Sequence, residues 1–363
     1  MIPQIQPWID EQEWHEVKRV MESTYLTENR ATQAFEHGVA SLTGAKHAIA
    51  VCNGTAALYC ILKALGIGHG DEVIVPDMTF VATANSVIMA GAKPTFAPIS
   101  QSTLDFDYRA LEALVQPSTK AIMPVHLYGR AADLARVLAF ADKFNLHVIE
   151  DAAQAIGVRF DDQHVGFSGV AGAISFYGNK TITCGEGGII LTNNDEIADQ
   201  CRQLKNHGRK QRGTFVHEHI GFNFSMTEMQ AAVGVAQLRK LPAIIERKEQ
   251  IYNSYMTSLG TIPKLEGLPI DPRCKPVHWF TSFYAENRDS LADHLASCGI
   301  QTRLFFCPLH MQPCYQESLA GNGADFSESV EAYAKGISLP SSYGLSDEEL
   351  AFVIEKIKSF YLL

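Results

Sequence analysis

The sequence predicts an α/β protein of two units, and three observations carry that expectation. Helix-like and strand-like patterns alternate through the first two thirds of the chain, the texture changes after about Met226, and 363 residues at roughly 150 per domain predict two domains. From Gly54 to Ala64 apolar residues recur at helical spacing, and the Gly66–Gly70 turn leads into Val73-Ile74-Val75, a β-branched run typical of a buried parallel strand. The rhythm repeats. Ala84–Met89 precedes Pro94–Phe96, Leu111–Leu114 precedes Ala121–Val125, Ala132–Phe144 precedes Val148–Ile149, and Gly172–Phe176 and Gly188–Leu191 read as further strands. Such alternation specifies a mainly parallel central sheet flanked by helices and joined by right-handed crossovers. Ligands of these sheets collect outside the carboxyl ends of the strands, which is where the chemistry is expected.

Beyond Met226, Thr227–Leu238 and Leu241–Leu259 read as two long helices, the second with a charged run (Glu246, Arg247, Lys248, Glu249) expected on a solvated face. The proline-rich stretch Gly260–Pro276 reads as a linker or loop. Trp279–Tyr284 and Thr302–Phe306 follow as strands, with Arg288–Cys298 and Asp347–Tyr361 as helices, which makes a smaller C-terminal α+β unit. The expected division is 1–240 for the large unit and 241–363 for the small one.

Composition narrows the class. With 46% hydrophobic and 19% charged residues, the chain is globular and not disordered, collagenous or stapled by disulfides. A net charge of −10 disfavours nucleic acid and anionic membrane as partners, because both need a basic face. The N-terminus lacks a basic segment followed by an apolar one, and no apolar run reaches the roughly 18 residues of a membrane span, so a soluble, cytoplasmic protein is expected. Eight cysteines with no CxxC spacing weaken a zinc site, and no metal is expected.

Four segments could carry chemistry. Gly66-Ile-Gly-His-Gly70 has dinucleotide-loop glycines in the wrong context, since it leaves a helix and enters a strand; it reads as an αβ turn. Asn53-Gly54-Thr55-Ala56 follows an apolar segment and opens a helix, so its amides form either a phosphate cup or an ordinary N-cap. Glu150-Asp151-Ala-Ala-Gln154 ends a buried strand, where a carboxylate can be a metal ligand, a ribose contact or the partner of a protonated ring nitrogen. Ser175-Phe-Tyr-Gly-Asn179-Lys180 leaves the next strand towards the glycine-rich Cys184–Gly188, placing a lysine either on a surface turn or at the site end of the sheet. An anion cup, a strand-end aspartate and an imine-forming lysine are together what pyridoxal 5'-phosphate needs.

The segments Cys52–Leu58, Ala121–Gly129, Val148–Ala155, Ser175–Gly188 and Gly221–Thr227, in that order, resemble the DegT-type sugar-nucleotide aminotransferases, which are pyridoxal-phosphate enzymes of fold type I. The resemblance runs from about Ile5 to the end. It implies that Lys180 forms the Schiff base and shuttles the proton, that Asp151 pairs with the pyridinium nitrogen, and that Gln154 contacts the ring hydroxyl. It further implies a phosphate site of Gly54, Thr55, Ala56 and Ser175 joined by Asn223 from a second subunit, Phe80 stacked on the ring, and hence a homodimer with shared active sites.

Within that family, Ile122–Gly129 and Phe176–Gly188 look most like the members that aminate C4 of GDP-4-keto-6-deoxy-D-mannose with L-glutamate, giving GDP-perosamine for surface-polysaccharide (O-antigen) biosynthesis. His310 and Arg303 lie where that group has sugar or nucleotide contacts, against the alternatives of a buried turn histidine and a solvated arginine; Asn179 is a further candidate substrate contact. Arg209-Lys-Gln-Arg212, the densest basic run, reads as a solvated loop or as a contact to the nucleotide phosphates. Two departures bear on the sugar and nucleotide. Ser225 replaces the usual arginine of its motif, and Tyr25-Leu-Thr-Glu28 replaces a Trp-Ile-Ser-Ser segment. UDP- or dTDP-linked keto sugars are the alternative substrates, and a non-catalytic regulator of the same fold is the alternative of another class. Lys180 itself opposes a dehydratase of this family, which carries histidine there, and the missing strand-to-helix glycine loop opposes a nicotinamide oxidoreductase.

Overall fold

The computed structural model describes residues 1–210, 213, 215–315 and 323–362. Two helices precede the first strand, α1 (Glu11–Ser23) and α2 (Arg30–Thr43). Helix α1 starts on a reciprocal cap, in which Asp10 accepts from the first turn while the Glu13 carboxylate accepts from the Asp10 amide. The central sheet then forms from β1 (His47–Val51), β2 (Glu72–Pro76), β3 (Lys93–Ala97), β4 (Thr119–Ile122), β5 (His147–Asp151), β6 (Ala171–Ser175) and β7 (Gly188–Thr192).

Its order is β1-β7-β6-β5-β4-β2-β3. Only β7 runs against its neighbours, being antiparallel to β1 and β6, while β6, β5, β4, β2 and β3 pair in parallel. The expected mainly parallel sheet is present, with one reversed strand. Both faces are covered, which is why β6 and β7 are buried at every position and read as unbroken apolar runs. Alternate side chains of β1 divide between the faces. Ile49 and Val51 pack with α3 (Gly54–Ala64), and Ala48 and Ala50 with α2 and the long helix described next. Helices α4 (Ala82–Met89), α5 (Leu134–Phe144) and α6 (Asp195–Leu204) complete the two layers.

Four expectations need correction, the first being the solvated face of the run Glu246–Glu249, of which Lys248 is buried. The two helices expected between Thr227 and Leu259 are one, α7 (Glu228–Leu259), which passes through residue 240 with Pro242 inside it. A proline forfeits one hydrogen bond, but Leu241, Ile244, Ile251 and Tyr255 are buried along the same helix and hold it together across that point. The Gly260–Pro276 stretch is no free linker. Its Leu265–Gly267 becomes β8 of the second sheet, and Cys274–Lys275 pairs with Arg159–Phe160 beside the large sheet. Leu111–Leu114 is a single 3-10 turn and not an α-helix.

The second sheet has the order β8-β9-β11-β10, from β9 (Thr281–Ala285), β10 (Arg303–Leu304) and β11 (Gly336–Leu339), all antiparallel. Helices α8 (Arg288–Ser297), α9 (Ser327–Lys335) and α10 (Asp347–Leu362) pack around it, with the C-terminal half of α7 supplying Ile251, Tyr255 and Leu259 to its core. Among the described residues no helix is long and apolar enough to cross a membrane.

Candidate active site at the carboxyl edge of the large sheet

Strand register assembles the site. Val51, Gly188 and Ser175 are neighbours across β1, β7 and β6, and Ala173 of β6 stands beside Asp151 of β5. Helix α3 starts directly after β1 and is capped by Asn53, whose Oδ1 accepts from the Ala56 amide at 2.8 Å. That cap uses the Ala56 N–H, one of the three amides expected to point outward; the amides of Gly54 and Thr55 have no partner among the described residues. Gly188 makes this arrangement possible, since a Cβ there would lie 2.5 Å from the carbonyl carbon and oxygen of Asn53 and 2.8 Å from the Gly54 nitrogen. A Cβ on Gly54 would likewise sit 3.0 Å from that of Ser175.

Pleating separates the paired carboxylates at the tip of β5. Glu150 faces one side, fully buried, and accepts from His126 Nε2 (2.9 Å) and the amides of Gly166 (2.7 Å) and Gly169 (3.0 Å). Burial works against its charge, but those three donors outweigh it and hold the carboxyl below its ordinary range. Glu150 is thus part of the scaffold. Asp151 faces the other side, where Oδ2 accepts from Thr83 Oγ1 of α4 at 2.7 Å and Oδ1 from the Ala153 amide at 3.1 Å. Gln154 is buried, with its Oε1 accepting from the Tyr128 amide at 2.7 Å, which leaves its amide nitrogen as the donor towards a ligand. Tyr128 takes left-handed backbone angles, and Gly129 after it comes so close to Val277 that no side chain fits there.

Lys180 lies in the turn between β6 and β7. Its amide donates to the Tyr177 carbonyl at 2.9 Å, and its ammonium sits 4.1 Å from the centroid of the Trp279 ring. Among the described residues the ammonium has no hydrogen bond. Burial pushes it down to about 8; Asp151 acts in the opposite sense and Arg303 in the same one. An amine so placed is partly neutral, and therefore nucleophilic and basic, near physiological pH.

Around this centre stand the other candidates. Phe80 is half-exposed, its ring 5.7 Å from that of Phe306. Arg303, on edge strand β10, lies over Phe280 at 5.2 Å, so the small sheet also reaches the lysine. His310 is held by Asp77 at the end of β2: its amide donates to Oδ1 at 2.9 Å and its Nδ1 lies 2.7 Å from Oδ2. Burial raises the Asp77 carboxyl. The Asn179 carbonyl accepts from the Trp279 indole at 2.6 Å. Asn223 is not brought to this cluster by its own side chain. It is exposed, bonded to no side chain among the described residues, and fixed by a backbone bridge to Asn206. Arg209 also stands apart, bonded to Asn206 Oδ1 at 2.7 Å in a separate groove with Arg202, Lys205 and Lys210; Gln211 and Arg212 of that run lie outside the described residues.

Sequence motifs missed Thr83, Trp279 and Asp77. Thr83 and Asp77 flank Thr79-Phe80 in a stretch read only as a strand end and a helix, and Trp279 was expected within a strand but precedes it, its side chain turned onto Lys180.

The sequence profile of the DegT/DnrJ/EryC1/StrS aminotransferase family matches residues 7–358. The chain is 36% identical over 367 residues to the GDP-perosamine synthase of Escherichia coli O157:H7, covering 99% of this chain and 98% of that protein. It is 36% identical over 374 residues to the spore coat polysaccharide biosynthesis protein SpsC of Bacillus subtilis, covering 98% and 96%. Among solved structures it superposes on the PLP form of the putative sugar aminotransferase Spr1654 of Streptococcus pneumoniae with a TM-score of 0.91 at 27% identity, over 99% of this chain and 98% of that one. The chain belongs to the DegT/DnrJ/EryC1/StrS aminotransferase family.

Proposed function

We propose that the protein uses pyridoxal 5'-phosphate to move the amino group of L-glutamate to the 4-keto carbon of a nucleotide-linked 6-deoxy sugar, with GDP-4-keto-6-deoxy-D-mannose as substrate and GDP-perosamine as product. The observation that carries this reading is the placement of the Lys180 amine, without a hydrogen bond among the described residues, over the Trp279 ring at 4.1 Å and within electrostatic reach of Asp151 at the strand ends. The residues present fit the cofactor. Among the described residues two amides at the start of α3 lack a partner, and Gly188 lets the turn that carries them lie directly against β7.

When bound, the cofactor supplies an aldehyde carbon that takes up the amino group and a ring that draws electrons from the neighbouring C–H bond. The rest falls to this chain. Lys180 Nζ would hold the cofactor at rest and, once released as an amine, would carry the α-proton of glutamate to the cofactor and, in the second half-reaction, a proton from the cofactor to the sugar carbon. Asp151, its carboxylate fixed by Thr83, keeps a ring nitrogen protonated. Gln154 donates to the ring hydroxyl and Phe80 covers one ring face. Gly54, Thr55 and Ser175 receive the phosphate at the helix N-terminus, to which Ala56 contributes through the end of the dipole.

Asn223 completes the phosphate site of a second copy in a homodimer. Its exposure, and that of Phe215, Val216 and Ile220 before it, supports a face covered by that copy. Arg303, His310, Asn179 and Arg209 are assigned to glutamate, sugar and nucleotide. The cytoplasm is the proposed compartment, and 1–240 and 241–363 the proposed units, joined through α7.

The test is turnover with glutamate and a panel of GDP-, UDP- and dTDP-linked 4-keto sugars, measuring 2-oxoglutarate and amino sugar together. The GDP sugar is expected to react fastest, and Lys180→Ala to lose turnover entirely. Preference for a UDP or dTDP sugar would replace the nucleotide assignment, and glutamate conversion without any aminated sugar would refute the sugar-nucleotide reading.

A further inference from the structure

Lys180 is one end of a stack that crosses from the large sheet to the small one. Its ammonium lies over Trp279 at 4.1 Å, Trp279 stacks on Phe280 at 3.9 Å and 24°, and the Arg303 guanidinium lies over Phe280 at 5.2 Å. Trp279 is buried and pinned twice. Its indole N–H donates to the carbonyl of Asn179, the residue before Lys180, at 2.6 Å. Its own carbonyl accepts from Lys248 Nζ at 3.1 Å, and the same ammonium donates to the Ser341 carbonyl at 2.8 Å.

Lys248 is a costly residue in this place. It is 2% exposed, no carboxylate lies within ion-pair distance of it among the described residues, and burial pushes it down to about 7. An apolar side chain on α7 would fill the space without a buried charge. What the ammonium adds is a tie between two carbonyls from separate segments, one carrying the indole under Lys180 and the other next to β11. The charged groups that bear on Lys180 are Asp151 and Arg303; beside Lys248 stands His278, stacked on Tyr252 at 3.7 Å, which burial above all pushes down to about 3 and so keeps neutral.

We propose that Lys248 is a positioning residue for the transamination step: acting through Trp279, it fixes where the Lys180 amino group stands relative to Asp151. This rests on Lys180 being the imine-forming lysine.

The test uses the full-length protein without cofactor, acylated with a trace amine reagent from neutral to alkaline pH, with the extent at Lys180 read by peptide mapping. Lys248→Met is expected to loosen Trp279 and admit water. The Lys180 midpoint should then rise by about one pH unit towards that of an ordinary lysine. In the loaded enzyme kcat should fall about 10- to 100-fold with the KM for glutamate little changed, as a displaced catalytic group requires. A folded Lys248→Met protein with the unaltered midpoint and kcat overturns the proposal. Should that variant not fold, Trp279→Phe, which keeps a ring but loses the indole N–H, must raise the midpoint in the same sense, and an unchanged value overturns the proposal equally. Borohydride reduction of the loaded protein separates the two claims. Attachment at a residue other than Lys180 refutes the imine assignment, whereas the labelling midpoint reports the tie from Lys248 by itself.

Discussion

Gly188→Ala puts the close approach of α3 to β7 under direct strain. The new Cβ would stand 2.5 Å from Asn53 carbonyl atoms and 2.8 Å from the Gly54 nitrogen, whereas ordinary contacts begin at 3.4 Å. The start of α3 must therefore retreat by about 1 Å, and the neighbouring backbone has little freedom to share the shift, because β7 is paired on both sides and Asn53 is tied to Ala56. Overpacking of this kind costs about 1–3 kcal/mol. The displaced atoms belong to the amides offered to the phosphate, so most of that cost should fall on cofactor binding, which weakens by about 5- to 150-fold. The assay is a spectrophotometric titration of the cofactor-free protein with pyridoxal 5'-phosphate, alongside its thermal unfolding. Gly344→Ala is the control, since a Cβ there meets nothing within 4 Å. A folded Gly188→Ala protein that binds the cofactor within twofold of the unsubstituted one would refute the assignment of the phosphate site.

Two further substitutions probe the tie between α1 and α7 and the support of Asp151. Lys240 joins α7 to α1 through Glu13 at 2.7 Å and Asp10 at 2.8 Å, with the Lys240 and Glu13 side chains 2% and 4% exposed; Lys240→Met strands a buried carboxylate and should cost about 3–5 kcal/mol in denaturant unfolding, so a loss below about 1 kcal/mol would contradict the pairing. Thr83→Val keeps the shape of α4 but removes the 2.7 Å bond to Asp151, worth about 1.5–3 kcal/mol for a charged acceptor; kcat should drop about 10- to 100-fold in a normally folded protein, and full activity would show that Asp151 needs no such support.

The candidate site is legible as a cluster because its groups sit in short local patterns at strand ends: Asn53–Ala56 opening a helix, Asp151 closing β5, and Lys180 between two apolar runs. The apolar runs themselves carry no direction. Gly188–Thr192 reads the same whether parallel or antiparallel, so the reversal of β7 was invisible until its pairing with both β1 and β6 was seen. Pro242 suggested a break in α7 that tertiary burial overrides. The contact of Asp77 with His310 spans 233 positions, and the seat of Trp279 beneath Lys180 spans 99, distances over which periodicity says nothing. Helix α1 does carry a local signal, the acid pair Asp10 and Glu13 at capping-box spacing. The net charge of −10 argues against nucleic acid and anionic membrane but does not fix the sign of a small ligand: the proposed glutamate and nucleotide diphosphate, like the cofactor phosphate, are anions that local amides and buried cations would meet.

The 32 residues of α7 make a rod about 48 Å long. Ala231 and Leu241 lie in the core beneath the large sheet, while Ile251 and Leu259 lie in that of the small one. A continuous helix transmits rotation instead of absorbing it, so this crossing offers no hinge about which the two sheets could swing open. Entry of a substrate then falls to the loops and side chains at the carboxyl edge. Severing the chain between residues 240 and 241 would cut a helix that both proposed units share and leave each fragment an uncovered apolar flank.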